Sequence, residues 1–238
     1  MPFQAVAPQR LYEQVAEQVS GLIAAGEFRA GDRLPPERDL ARKLAVSRPV
    51  LREAMVALEL AGWVEVRSGA GTYVRASGRT ALKIVNAGPS AFELLAARRT
   101  IEGEVAALAA VAATETDVAD LRALNEEIGR QTASGQTGVE ADGAFHRRLA
   151  EVTGNAVLVD IVSHLWAGMN GPILTRFHDL TNRPGKHRTN IADHEAIVAA
   201  VGRHDAAAAR QAMAVHIGHV EAVFAEDIAE TTAPTRAG

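Results

Sequence analysis

Apolar residues recur at helical spacing from Leu11 to Ala25, at Leu11, Val15, Val19, Leu22 and Ile23, which predicts an amphipathic helix. Gly26 ends it and Gly31-Asp32 makes a turn. A second helix is predicted over Pro36 to Leu44, with Leu40, Ala41 and Leu44 on one face and Pro36 in the first turn, where proline is welcome. Ala45-Val46 is the next turn. Ser47 is a good N-cap for a third helix running to about Ala61, whose inward face is Val50, Leu51, Ala54, Leu58 and Ala61. After Gly62 the pattern changes to alternation: Trp63 to Arg67 reads as a strand, Ser68-Gly69-Ala70-Gly71 as a glycine-rich turn, and Thr72 to Val74 as the returning strand. Three helices followed by a β-hairpin make a winged helix-turn-helix.

Beyond a weakly patterned stretch from Ala76 to Ser90, no strand is predicted. Helices are expected over Phe92–Ala113, from the capping-box pair Thr114 and Asp117 to about Thr132, over Val139–Val152, over Ala156–Leu180 with a break near Gly171-Pro172, over Thr189–Gly202 and over Asp205–Ala229. Asn182-Arg183-Pro184-Gly185 reads as a loop. Short joints between such helices indicate an antiparallel bundle. The fold class is therefore mainly α. Residues 8–76 form the winged helix-turn-helix, 77–90 a linker, 91–230 an all-helical domain and 231–238 a disordered tail.

The chain has 238 residues and no cysteine, so disulfides, iron–sulfur clusters and thiol catalysis are excluded and a reducing cytoplasm fits. No secretory signal and no membrane span is read in it. The net charge of −4 conceals an asymmetry. Residues 1–80 carry eleven basic and nine acidic side chains, and all eight histidines follow residue 80. One half suits a polyanion; the other suits metal or proton chemistry.

The basic residues are grouped. Arg38 and Arg42 lie on the second helix; Arg48 and Arg52, four apart on the third, share a face. The start of a recognition helix is what meets base edges in the major groove, and an arginine there can grip guanine with two hydrogen bonds. Ser47 can cap the helix and also donate to a phosphate. The small residues around Gly69 leave the turn free to approach the DNA backbone. The competing reading is a solvated face, with Glu37, Asp39 and Glu53 as ion-pair partners.

In the second half, Asp142 and His146 stand four apart on a helix and project from one side. Asp193-His194-Glu195 and Met213-Ala214-Val215-His216, with His219 one turn on, supply further donors. One Asp and three His would suit Zn²⁺, Ni²⁺, Mn²⁺ or Fe²⁺. A lone histidine on a helix is ordinarily a surface or hydrogen-bonded residue, and spacing alone does not bring these together. Such a site can also activate water, but no motif supplies a general acid or nucleophile beside it, and no catalytic residue is assigned.

The run Arg33-Leu34-Pro35-Pro36-Glu37-Arg38-Asp39-Leu40-Ala41, then Val46-Ser47-Arg48-Pro49, Leu51-Arg52-Glu53-Ala54 and Val64 to Val74, resembles the GntR family of regulators. The resemblance implies operator contacts at Arg38, Ser47, Arg48, Arg52 and Gly69, and a homodimer on double-stranded DNA. Phe92 to Glu104, Phe145-His146-Arg147-Arg148-Leu149-Ala150 with Gly154-Asn155, and His194-Glu195-Ala196-Ile197 with His216 resemble the FadR-type (FCD) sensor domain. That likeness implies a divalent transition metal on Asp142, His146, His194 and His216, and Arg98 facing the effector; the residue-level alternative for Arg98 is a surface pair with Glu102. Arg99 is expected at the surface. Within the subfamily the chain is most similar to regulators of hexuronate utilisation. The implied function is a repressor released by a small carboxylate, a hexuronate or related sugar acid, bound at the metal. A 2-hydroxy acid or citrate-like effector is the alternative, and a metal-dependent enzyme the remote one.

Overall fold

The structure is a computed structural model that describes residues 9–67, 70–76, 89–181 and 184–225. Gly69, most of the expected linker and the expected tail lie outside these. The chain divides into two compact units, one through Ser90 and the other from Ala91.

In the first unit α1 spans Leu11–Ala24, α2 Glu37–Leu44 and α3 Arg48–Leu60, followed by β1 Val64–Arg67 and β2 Gly71–Val74. The core is the apolar face of α1 (Tyr12, Val15, Ala16, Val19) closed by Leu51, Met55 and Leu58 of α3. Ser47 caps α3, its Oγ accepting from the Val50 amide at 3.4 Å. Ala45, in the left-handed region at φ 54°, turns the chain from α2 into α3. The strands pair antiparallel with Val64 opposite Val74 and Arg67 opposite Gly71. The segment before α2 adds a third strip that alternation did not reveal: the Leu34 amide donates to Thr72, the Val74 amide to Asp32, and Arg33 bridges Tyr73. Gly71 is required where it stands. Its φ is +103°, a backbone conformation that residues with a Cβ rarely adopt.

The second unit is helical: α4 Ala91–Ala112, α5 Glu115–Ala133, α6 Val139–Val152, α7 Ala156–Met169, α8 Pro172–Thr181, α9 Pro184–Gly202 and α10 Ala206–Ala225. The expected capping box forms at α5, where Thr114 and Asp117 satisfy each other's backbone amides. One boundary differs. The loop expected at Pro184-Gly185 is the first turn of α9, because proline's fixed φ suits a helix start as well as a turn. α4 packs on α6, α7, α9 and α10, so it forms the centre of this unit. Its inward side is small, with Val105, Ala106, Ala109 and Ala110 buried, which lets neighbouring helices approach closely. No single helix among the described residues is long and apolar enough to cross a membrane. The apolar pair α7 and α8 is bent by 64°, and Val162, Leu165, Trp166, Ile173, Leu174 and Phe177 from it are buried in this unit.

Candidate metal centre and DNA-binding face

Asp142 and His146 project from α6, His194 from α9 and His216 from α10. One donor atom from each lies within 4.8 Å of all the others. Asp142 Oδ1 stands 3.4 Å from His146 Nε2 and 3.3 Å from His194 Nε2. Donors bound to one Zn²⁺-like ion at about 2.0–2.2 Å are roughly 3–3.5 Å apart, so two edges of a coordination shell already have the right length. The three imidazoles are buried to within 1% of full enclosure. Phe145 stacks on the His194 ring at 4.2 Å and fixes its plane.

The donors fit a cation on a second ground. Asp142 Oδ1 and both ring nitrogens of His194 and His216 are buried without a hydrogen-bond partner. Buried polar atoms are nearly always satisfied, and an ion would engage Asp142 Oδ1 and one nitrogen of each ring, though not the second nitrogen. The electrostatics agree. Burial pushes the His216 ring down to about 3 and lowers His194 as well, so both are neutral and have lone pairs to give. Burial would raise the Asp142 carboxyl, but His146 and His194 beside it hold it well below the usual range. Metal identity does not follow from this donor set.

α4 supplies the next layer. Arg98 and Glu102 are four apart and both buried. Glu102 accepts from Arg98 Nε at 2.8 Å, while its other oxygen lies 2.5 Å from His146 Nδ1. Burial alone would raise Glu102, but Arg98 and then His146 bring it down to about 2. That carboxylate raises His146 against the lowering effect of burial. It also draws the ring proton to Nδ1, leaving Nε2 turned toward Asp142. On the far side, Asp193 Oδ2 sits 2.7 Å from His219 Nδ1 and 3.9 Å from His216 Nδ1.

A cavity of about 210 Å³ adjoins the cluster at Asp142. That is smaller than the roughly 300–1,000 Å³ of drug-sized pockets and suits a small metabolite. Arg98, Asp142, Trp166, Asn190, Asp193 and His219 are among its lining residues. Arg98 packs its guanidinium 4.1 Å from the Trp166 ring centroid. Trp166 lies against Gly143, where a Cβ would come within 3.0 Å of the indole. Its Nε1 is buried without a partner. Arg98 pairs with Glu102, but both are buried, and Arg98 lines the cavity rather than the surface. Arg99 is exposed and pairs with Glu221 at 3.3 Å. Sequence reasoning treated Glu102 only as a surface partner and missed Trp166 and Asn190. Only Glu102 carried a signal, sharing a helix face with Arg98.

On the first unit, Arg38, Ser47 and Arg48 are exposed at the start of α2 and α3. Arg33, Arg38, Arg48 and Arg67 line one cleft, and Arg33 and Arg67 had not been singled out. Arg52 departs from expectation. It is 1% exposed, and its Nη2 donates to Glu37 of α2 at 2.9 Å. Four residues along a helix advance about 40° around the axis, which here turns Arg52 away from the solvent face of Arg48 and against α2. Glu53, offered as a surface partner, is buried and accepts from Ser90 Oγ at 2.9 Å. Gly69 lies outside the described residues.

Residues 11–74 match the bacterial regulatory proteins of the gntR family, and residues 93–219 match the FCD domain. The chain is similar to the Uxu operon transcriptional regulator of Escherichia coli (strain K12), 37% identical over 227 residues that cover 91% of this chain and 88% of that protein. It is 35% identical to the Exu regulon transcriptional regulator of the same organism over 219 residues, 88% and 83% of the two chains. Among solved structures, E. coli McbR/YncC shares the fold, with a TM-score of 0.51, 23% identity, and coverage of 91% of this chain and 98% of that one.

Proposed function

Because the chain belongs to the GntR family of bacterial regulatory proteins, with an FCD domain as its second unit, we propose that it is a repressor released from operator DNA by a small sugar acid bound over a metal ion. The family and the relatives are transcription regulators, not enzymes, and the DNA-binding role is common to them. The observation that carries the effector reading is the convergence of Asp142, His146, His194 and His216 on one point beside a small cavity that also holds Arg98.

A divalent transition metal held by these four side chains would offer open positions to a carboxylate and an adjacent hydroxyl. Arg98 orients the acid. Its Nε–Nη2 edge is committed to Glu102, so the Nη1 side meets the ligand, and the unpartnered Trp166 N–H beside it is a second donor. Likeness to the Uxu and Exu regulators supports a hexuronate or related sugar acid. A short 2-hydroxy acid or a citrate-like acid would satisfy the same metal and arginine.

At the operator, Arg38, Ser47 and Arg48 are the proposed contacts from a homodimer, together with Gly69. Arg52 is proposed to set the angle between α2 and α3 through Glu37 rather than to read bases. Effector binding favours a state in which the two reading heads no longer match the operator, and DNA affinity falls in proportion to that preference.

A thermal-shift panel on metal-loaded protein tests this with glucuronate, galacturonate, fructuronate, gluconate, lactate and citrate. A ligand at about a hundred times its Kd adds roughly 2.7 kcal/mol, a clear rise in melting temperature. Stabilisation by a uronate that chelator abolishes, together with loss of operator binding, is expected. No stabilisation by any of the acids, or a shift that survives metal removal, refutes the metal-centred effector site.

A further inference from the structure

The cavity wall carries two chemically different groups of side chains. One group suits an anion held at the cluster: Arg98, the Trp166 N–H and, of the four donors, Asp142. The other is on α9, which presents Thr189, Asn190 and Asp193, with Asn190 one helical turn before the donor His194. Asp193 is engaged with His219. Asn190 is different: its side chain lines the cavity, and its Oδ1 is buried and accepts no hydrogen bond. An amide carbonyl is rarely left in that state, because shedding water without gaining a donor is costly. Whichever way the amide is turned, it carries one acceptor and one donor group.

We propose that Asn190 is a specificity residue that takes a hydroxyl on the effector chain beyond the carboxylate. The cavity thereby prefers polyhydroxylated acids to short 2-hydroxy acids that share the same metal-binding end. A hydroxyl donates and accepts at once, so it can satisfy Oδ1 and also receive from Nδ2. A three-carbon 2-hydroxy acid held by the metal and Arg98 has no further hydroxyl to offer Oδ1, and an aliphatic tail would leave Oδ1 unpaired. A site built around a buried acceptor rejects the analogue that lacks its hydroxyl more strongly than an apolar pocket rejects a missing methylene. The inference rests on the effector reading of this cavity.

Isothermal titration of the full, metal-loaded chain with galacturonate, glucuronate and lactate tests it. Asn190→Ala should weaken the uronate that the wild type binds by about ten-fold or more. It should leave lactate within about two-fold and metal affinity unchanged, so that selectivity collapses. Asn190→Ser, which keeps a hydroxyl, serves if the alanine variant melts early, and should lose less. Arg98→Lys is the contrast and should weaken every acid. Equal weakening of uronate and lactate by Asn190→Ala, a fall in metal affinity, or no change at all overturns the role of Asn190. Wild-type protein that binds none of the acids removes the effector reading itself, a result separable from the others because it precedes any substitution.

Discussion

Glu102 and His146 meet with carboxylate Oε2 2.5 Å from ring Nδ1, and neither side chain is more than 2% exposed. The same carboxylate binds Arg98 through its other oxygen at 2.8 Å. One acid on α4 therefore orients a metal donor on α6 and, at the same time, the cation proposed to receive the effector.

Removing that charge while keeping its shape should loosen both. Glu102→Gln is expected to lower metal affinity by about 10–100-fold, the usual effect of losing a carboxylate behind a ligating histidine. Competition with a chromophoric chelator measures it. Unchanged affinity would mean that the His146 ring is held by its packing alone.

Stability of the metal-free protein should fall on acidification. His216 and His194 have folded pKa values below their free value of 6.5, His216 at about 3. The unfolded chain therefore binds their protons first, and their contribution, full above pH 6.5, is lost as pH drops toward the folded values. Glu102, held at about 2, adds a second loss below 4.5. His146 is raised and opposes the first trend: its contribution is full below 6.5 and lost as pH rises through its folded pKa. Below pH 6.5 the His146 contribution is constant, so the two depressed rings give a net loss between pH 6.5 and 5. Urea unfolding at several pH values checks this, and His216→Asn should flatten the upper part of the profile.

Metal removal separates a sensing ion from a purely structural one. Asp142→Ala is expected to abolish the uronate-induced rise in melting temperature while circular dichroism remains that of the folded protein. If the variant melts early yet still responds to uronate, the ion is structural and the ligand lies elsewhere.

Arg48 and Arg52 should fail differently. Arg48→Ala removes an exposed cation and should weaken operator binding with little change in melting. Arg52→Ala leaves Glu37 without its buried partner, a loss of about 3–5 kcal/mol where such pairs are broken, and should lower the melting temperature of the first unit. Equal stability in the two variants would contradict the buried ion pair.

Gly143→Ala places a methyl 3.0 Å from Trp166 Cε3. The indole borders the cavity, so the ring is expected to swing into it. Effector affinity should then drop more than stability does, because alanine favours the helix by up to about 1 kcal/mol over glycine. A variant with full effector affinity would show that the indole is not part of the binding wall.

Much of this protein was legible along the chain because its signals are local. The helical period, Ser47 at the head of α3, the Thr114 and Asp117 capping box, and the alternation before and after residues 68–71 are each decided within a turn or two of backbone. Asp142 and His146 belong to the same class, since four residues on one helix fix their common direction. The residue pattern did not join them to His194 and His216, which come from helices 48 and 70 residues beyond His146; only resemblance linked the four, and packing around α4 brings them together. Packing also decided that Arg52 turns inward, that Glu102 is buried between His146 and Arg98 rather than a surface partner, and that Asn190 borders the cavity. Sequence determines what a residue can do and which side of its own helix it occupies. Whether that side meets solvent, a carboxylate or a cavity is set by the neighbouring helix, whose position depends on contacts far away along the chain.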